Sequence, residues 1–161
     1  QNIANELVTK LSPTGTLCVY VNSTAHVIVD VAGYVPAGSD YTSLTPERLA
    51  DTRPPFIAAD SRFVGIGPIP TGGMVEVPVA GRASVPLDAD AAVVNLTIAG
   101  ATAKGYATAY PCGTKPPTSS INYQAGQNIA NELVTKLSPT GTLCVYVNST
   151  AHVIVDISGE V

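Results

Sequence analysis

QNIANELVTKLSPTGTLCVYVNSTAHVIVDISGEV, residues 127–161, reads as a run of β-structure and is also a copy of an earlier stretch of the chain. Thr142 to Val147 is apolar on both faces, which suits a strand in the middle of a sandwich. Asn148-Ser149-Thr150 then turns the chain into Val153, Val155 and Ile157, whose alternation points them inward together. Asn128 to Leu137 is ambiguous, because Ile129, Leu133 and Leu137 fall at helical spacing as well as on one face of a strand. A strand with a bulge suits the β character of the rest; a short helix is the alternative.

The earlier copy is QNIANELVTKLSPTGTLCVYVNSTAHVIVDVAGYV at residues 1–35. The first thirty residues are identical, and only Val31/Ile157, Ala32/Ser158 and Tyr34/Glu160 differ. The offset of 126 residues is too long for a solenoid repeat and suits a complete domain. A window from a tandem array explains this best; an engineered duplication or circular permutation is the alternative. On the first reading, residues 1–35 are the C-terminal segment of a preceding repeat and residues 36–161 are one complete unit. A start at Gln1, with neither Met nor a signal-peptide pattern, is what a mature fragment or a piece of something longer would show.

Within the unit, Val94, Leu96 and Ile98 alternate with Asn95 and Thr97 as a strand with one buried face does. Val75, Val77 and Val79 alternate likewise, and Pro78, having no N–H to give a ladder, places that strand on an edge or ends it. Tyr106 to Tyr110 and Ser120 to Gln124 are further short strands. Turn signals recur in Gly65-Ile66-Gly67-Pro68, Thr71-Gly72-Gly73, Gly100, Gly113 to Pro117 and Ser138-Pro139-Thr140-Gly141. Pro46 to Ala50 reads as a single helical turn, with Thr45 as its cap. The expected fold is all-β: an antiparallel sandwich or jelly roll.

The 161 residues are 45% apolar and 12% charged, with a net charge of −4. That composition excludes a disordered chain. The eight Lys and Arg residues are scattered and outnumbered by twelve carboxylates, so nucleic acid is not an expected partner. No apolar run approaches the roughly 20 residues of a membrane-spanning helix. No pattern calls for a cofactor: Asp88 and Asp90 fall short of a calcium cage, and the glycine pairs lack the strand-to-helix setting of a phosphate loop.

Several motifs follow a recurring order: Leu44 to Arg53 (LTPERLADTR), Ala91 to Thr97 (AAVVNLT), Gly105-Tyr106, Tyr110-Pro111-Cys112-Gly113 and Ser120-Ile121-Asn122-Tyr123. Ala125-Gly126-Gln127, Ala130-Asn131, Cys144-Val145-Tyr146 and His152-Val153-Ile154-Val155-Asp156 complete it. The pattern resembles a β-rich repeat of secreted and cell-surface proteins of actinobacteria and related bacteria, over the whole 126-residue period. The resemblance implies an extracellular accessory or stalk module, often in tandem, to which no catalytic activity attaches. The usual Gly-Tyr ending stands at Gly33-Tyr34 and becomes Gly159-Glu160 in the second copy.

In such a setting the three cysteines resolve into a pair and an equivalent. Cys18 and Cys144 are one position a period apart, so a disulfide between Cys112 and Cys144 is expected, with the partner of Cys18 in a preceding repeat. Buried free thiols are the alternative. The block from Ala32 to Gly126 has two potential donors, one on each side. Cys144 lies 32 positions from Cys112 and Cys18 lies 94 away, so loop closure favours the C-terminal donor by about 1 kcal/mol. The spare copy is then expected to pair with a neighbouring molecule or repeat.

His26 and His152 are one repeat position. On a strand His152 and Asp156 stand about 13 Å apart, and no G-x-S-x-G elbow supplies a serine, so no catalytic residue is expected. Arg48, Asp51 and Arg53 form the densest charge cluster, read as an ion pair or as a weak anion or sugar site. Tyr41, Tyr106, Tyr110 and Tyr123 are candidate glycan contacts, or strand tyrosines packed inward. The expectation is thus a non-enzymatic extracellular structural repeat whose partners are copies of itself or neighbouring repeats. The alternative is a module that binds carbohydrate or cell-wall polysaccharide.

Overall fold

A computed structural model of the chain describes residues 5–31, 34–55, 58 and 60–161. The first copy's opening residues and its Ala32-Gly33 therefore lie outside the described residues. Among the described residues eight strands follow one another: β1 (Thr42–Asp51), β2 (Met74–Pro78), β3 (Ala91–Ala99), β4 (Gly105–Pro111), β5 (Ile121–Tyr123), β6 (Ile129–Lys136), β7 (Thr142–Val147) and β8 (His152–Glu160). They form two four-stranded antiparallel sheets, ordered β1-β8-β3-β6 and β2-β7-β4-β5. Among the described residues there is no helix. The fold is an all-β sandwich carrying one disulfide, Cys112–Cys144.

The alternation in the sequence explains the core. Val94, Leu96 and Ile98 of β3 and Val153, Val155 and Ile157 of β8 face Val75 and Val77 of β2 and Leu143, Val145 and Val147 of β7, all buried. β7 is interior to its sheet, as its two-faced apolarity requires, and β2 is an edge strand that ends on Pro78. β6 pairs with β3 from Ile98↔Ile129 to Ala91↔Lys136 without interruption, so the ambiguous segment is a strand and has no bulge. The helical turn expected at Pro46 to Ala50 is absent. Those residues belong to β1, and the register shifts between Ser43 and Glu47, where Pro46 cannot donate. A ladder with β8 gives the backbone more partners there than one capped turn would.

The two copies differ completely in outcome. Residues 127–161 supply β6, β7 and β8, which include interior strands of both sheets. The described residues of the first copy hold no strand or helix, and Val19 and Val29, whose equivalents Val145 and Val155 are fully buried, are 54% and 58% exposed.

Tyr123 sits in the core at 1% exposure, its hydroxyl donating to the carbonyls of Ser149 (3.1 Å) and Tyr106 (3.2 Å). Tyr123→Phe takes its partner from the buried Ser149 carbonyl, while the Tyr106 carbonyl keeps the Asn148 N–H, and should lower stability by about 1–2 kcal/mol in urea unfolding.

Candidate functional site

The outer face of the β1-β8-β3-β6 sheet carries the charged cluster. Ladder register places Arg48, Asp156, Asn95 and Glu132 side by side in one row across all four strands. Arg48 grips Asp156 with both ends of its fork, Nε to Oδ1 at 2.7 Å and a terminal nitrogen to Oδ2 at 3.1 Å. Its other terminal nitrogen reaches Asp51 Oδ2 at 3.0 Å. Arg53 closes on the same carboxylate, with Nε to Oδ1 at 2.9 Å, a terminal nitrogen to Oδ2 at 2.8 Å and its backbone N–H to Oδ1 at 3.1 Å. Asp51 is wholly buried. Burial alone would raise its pKa, but the hydrogen bonds and charge of Arg53, with Arg48 behind, hold it below the usual range. The cluster is therefore a network of ion pairs. Asp156, which completes it, escaped the sequence reading because 108 residues separate it from Arg48.

Along the row lies a cleft of about 460 Å³ between the first copy and the sheet, lined by Asn5, Val8, Arg48, Asn95, Glu132 and Asp156 among others. The Glu132 carboxylate accepts the Val8 N–H and the Ser158 hydroxyl, and burial pushes its pKa up. Asn5 donates to Asn95 Oδ1 at 3.2 Å and accepts the Glu132 N–H at 3.4 Å.

A second ion pair went unforeseen. Arg82 holds Asp60 through two bonds of 2.7 Å and also donates to the carbonyls of Leu49 (2.9 Å) and Pro78 (2.8 Å). The Arg82 hydrogen bonds are the main reason the Asp60 carboxyl is pulled down to about 2. A carboxyl depressed on folding stabilises above its unfolded pKa, near 4, and that stabilisation drains away as pH falls towards 2. Asp60→Asn should accordingly flatten the drop in unfolding free energy between pH 4 and pH 2.

The four tyrosines do not share a surface. Tyr123 is in the core at 1% exposure, and Tyr110 is covered on the outer face of its strand at 5%. The Tyr41 ring lies over Gly159, where an added Cβ would come within 2.4 Å of it, and its hydroxyl is buried with no hydrogen-bond partner among the described residues. Tyr106 is half-exposed, as Tyr41 is, and lies beside Tyr146 at a ring separation of 6.0 Å. Lys115 lies over both rings, at 4.7 Å from Tyr146 and 5.7 Å from Tyr106. A four-tyrosine glycan platform is thus not what the fold presents, because strand alternation turns Tyr123 into the core, and Tyr110, on the same face of β4 as Tyr106, is covered there.

The disulfide ties β7 to the residue just after β4, while Cys18 is exposed and unbridged. Among the described residues, the grouping with metal-ligand geometry is Glu76 with Cys112 and Cys144, whose sulfurs the disulfide consumes. His152 Nδ1 lies 3.0 Å from the hydroxyl of Thr52, the residue just after β1, a contact with no carboxylate in it. In comparisons with known proteins, no family model, no curated protein and no solved structure matches the chain.

Proposed function

We propose that the chain is a non-enzymatic structural repeat that works outside the cell, as a building block of a stalk, fibre or surface layer made of such units in tandem. The observation that carries this reading is the thirty-residue identity between residues 1–30 and 127–156, the second of which completes both sheets of the sandwich. A sandwich-completing segment present twice is what consecutive units would leave in any stretch longer than one period. The disulfide suits an oxidising compartment. The β-rich repeats of secreted and cell-surface proteins that the motifs resemble support the same reading. Carbohydrate binding has less in its favour, since the Tyr106–Tyr146 pair is capped by the chain's own Lys115.

Electron microscopy of the secreted full-length protein tests the proposal. Regularly spaced sandwich-sized units along a rod or lattice are expected; isolated units without order would refute it. Specific binding on a polysaccharide array, lost in Tyr106→Ala, would instead favour the carbohydrate module.

A further inference from the structure

In this structure the surface of β1–β5 is covered by residues 127–161, and most of the contacts, all but those of Ile157, Ser158 and Glu160, are made by residues that the first copy repeats. Every core residue the donor contributes up to Val155 recurs in the first copy, Leu143 as Leu17, Val145 as Val19, Val147 as Val21, Val153 as Val27 and Val155 as Val29. So do its polar partners. Asp156, which Arg48 grips, recurs as Asp30; His152, which meets Thr52, as His26; Asn148, which accepts the Tyr106 N–H, as Asn22; and Cys144 as Cys18. Gly159, over which Tyr41 packs, has Gly33 at its position in the sequence.

The chain path allows the exchange within one molecule. The end of β8 lies beside the start of β1, with Glu160 paired to Thr42. Tyr34 is the equivalent of Glu160, so a first copy in place of the second needs only residues 35–41 to close a β8–β1 hairpin. That stretch already holds a turn, in which the Ser39 N–H meets the Pro36 carbonyl at 3.3 Å and Gly38 has a φ of +84°. Seven residues are longer than a tight hairpin loop needs and ample to span neighbouring antiparallel strands.

We propose that the β1–β5 block is a docking surface with two alternative occupants in the same chain, residues 127–161 and the N-terminal copy, residues 1–35. The sandwich exists in two connectivities, one closed through the turn between β5 and β6 and the other through a hairpin between the first copy and β1. Three strands leave both sheets in the exchange, so it passes through an opened sandwich, and the disulfide locks whichever copy is home. Conversion of the locked form is a thiol–disulfide exchange: the Cys18 thiolate attacks Cys112 Sγ, the bond to Cys144 Sγ breaks, and Cys144 leaves as the thiolate. One sulfur–sulfur bond forms as one is lost, and no outside oxidant is consumed. Ile157 against Val31 is a buried methylene, and Ser158 against Ala32 is a buried hydroxyl that donates to the Val93 carbonyl, so the C-terminal occupant should be favoured by about tenfold or more in population. The exchange needs the repeat and the sandwich but not the extracellular role, so either idea can fail alone.

Matched core substitutions test it. The full chain is refolded in a glutathione buffer, and thermal unfolding, light scattering and non-reducing peptide mapping are read together. Val29→Asp should unfold as the unmodified chain does and carry Cys112–Cys144. Val155→Asp should remain a cooperatively folded monomer and carry Cys18–Cys112 instead, whereas Val29→Asp with Val155→Asp should lose cooperative unfolding. In the unmodified chain Cys18–Cys112 should make up about a tenth of the bridges or less. The proposal is overturned if Val155→Asp is as unfolded as the double variant, or folds only as a dimer bridged between chains. A milder variant, Cys144→Ser, decides independently of core damage: an intrachain Cys18–Cys112 bridge supports the exchange, and two free thiols in the native monomer refute it.

Discussion

Replacing Asp51 with alanine is expected to destabilise the sandwich by about 3 kcal/mol and to lower its thermal midpoint by about 10 °C. The carboxylate is wholly buried and accepts four hydrogen bonds, one from Arg48 and three from Arg53. Breaking a buried pair from one side costs more than the pair contributes, because the surviving charge keeps its desolvation. Here the arginine side chains are 33% and 28% exposed, so water recovers part of the loss and the value falls at the low end of the range for buried pairs. Asp51→Asn should recover little, since an amide nitrogen would then face a guanidinium. Calorimetry at neutral pH reads both variants, and a loss under 1 kcal/mol would mean that the network is ornamental.

Cys112→Ser should cost about as much, 3 to 4 kcal/mol in the chain-entropy account, because it opens a loop of 32 residues in the unfolded chain. Guanidinium titration should show a lower midpoint, and the untreated chain should fall to the same value once reduced. The contrast with Cys144→Ser is informative. Cys112 has no copy, whereas Cys144 has one in Cys18, so loss of Cys144 should cost measurably less if the first copy docks.

The period-two alternation made most strands legible, since a one-sided apolar strand has few other ways to bury its face. β3, β7 and β8 follow from their valines and leucines, and the edge position of β2 from Pro78. β1 was misread because Thr45, Pro46 and Glu47 imitate the start of a helix, and only the distant β8 offers the ladder that overrides it. The Arg48–Asp156 and Arg82–Asp60 pairs depend on which strands become neighbours, which no local pattern encodes. The repeat makes the same point most plainly. Thirty identical residues form three strands at one end and none among their described residues at the other, so the difference between them is the company of β1–β5.

The pairing of Thr42 with Glu160 means that a unit's two ends leave the sandwich side by side. Tension passed through those ends would open β1 from β8 one pair at a time, as a zipper opens, instead of loading the whole ladder in shear. Such a unit yields at low force. Its reach is limited all the same, because the bond from Cys112 to Cys144 shields 32 residues from the pull, about 110 Å of chain that cannot be paid out until the bridge is reduced. A row of these units would behave as a shock absorber with a stop, its give set by β-ladder geometry and its limit by sulfur chemistry.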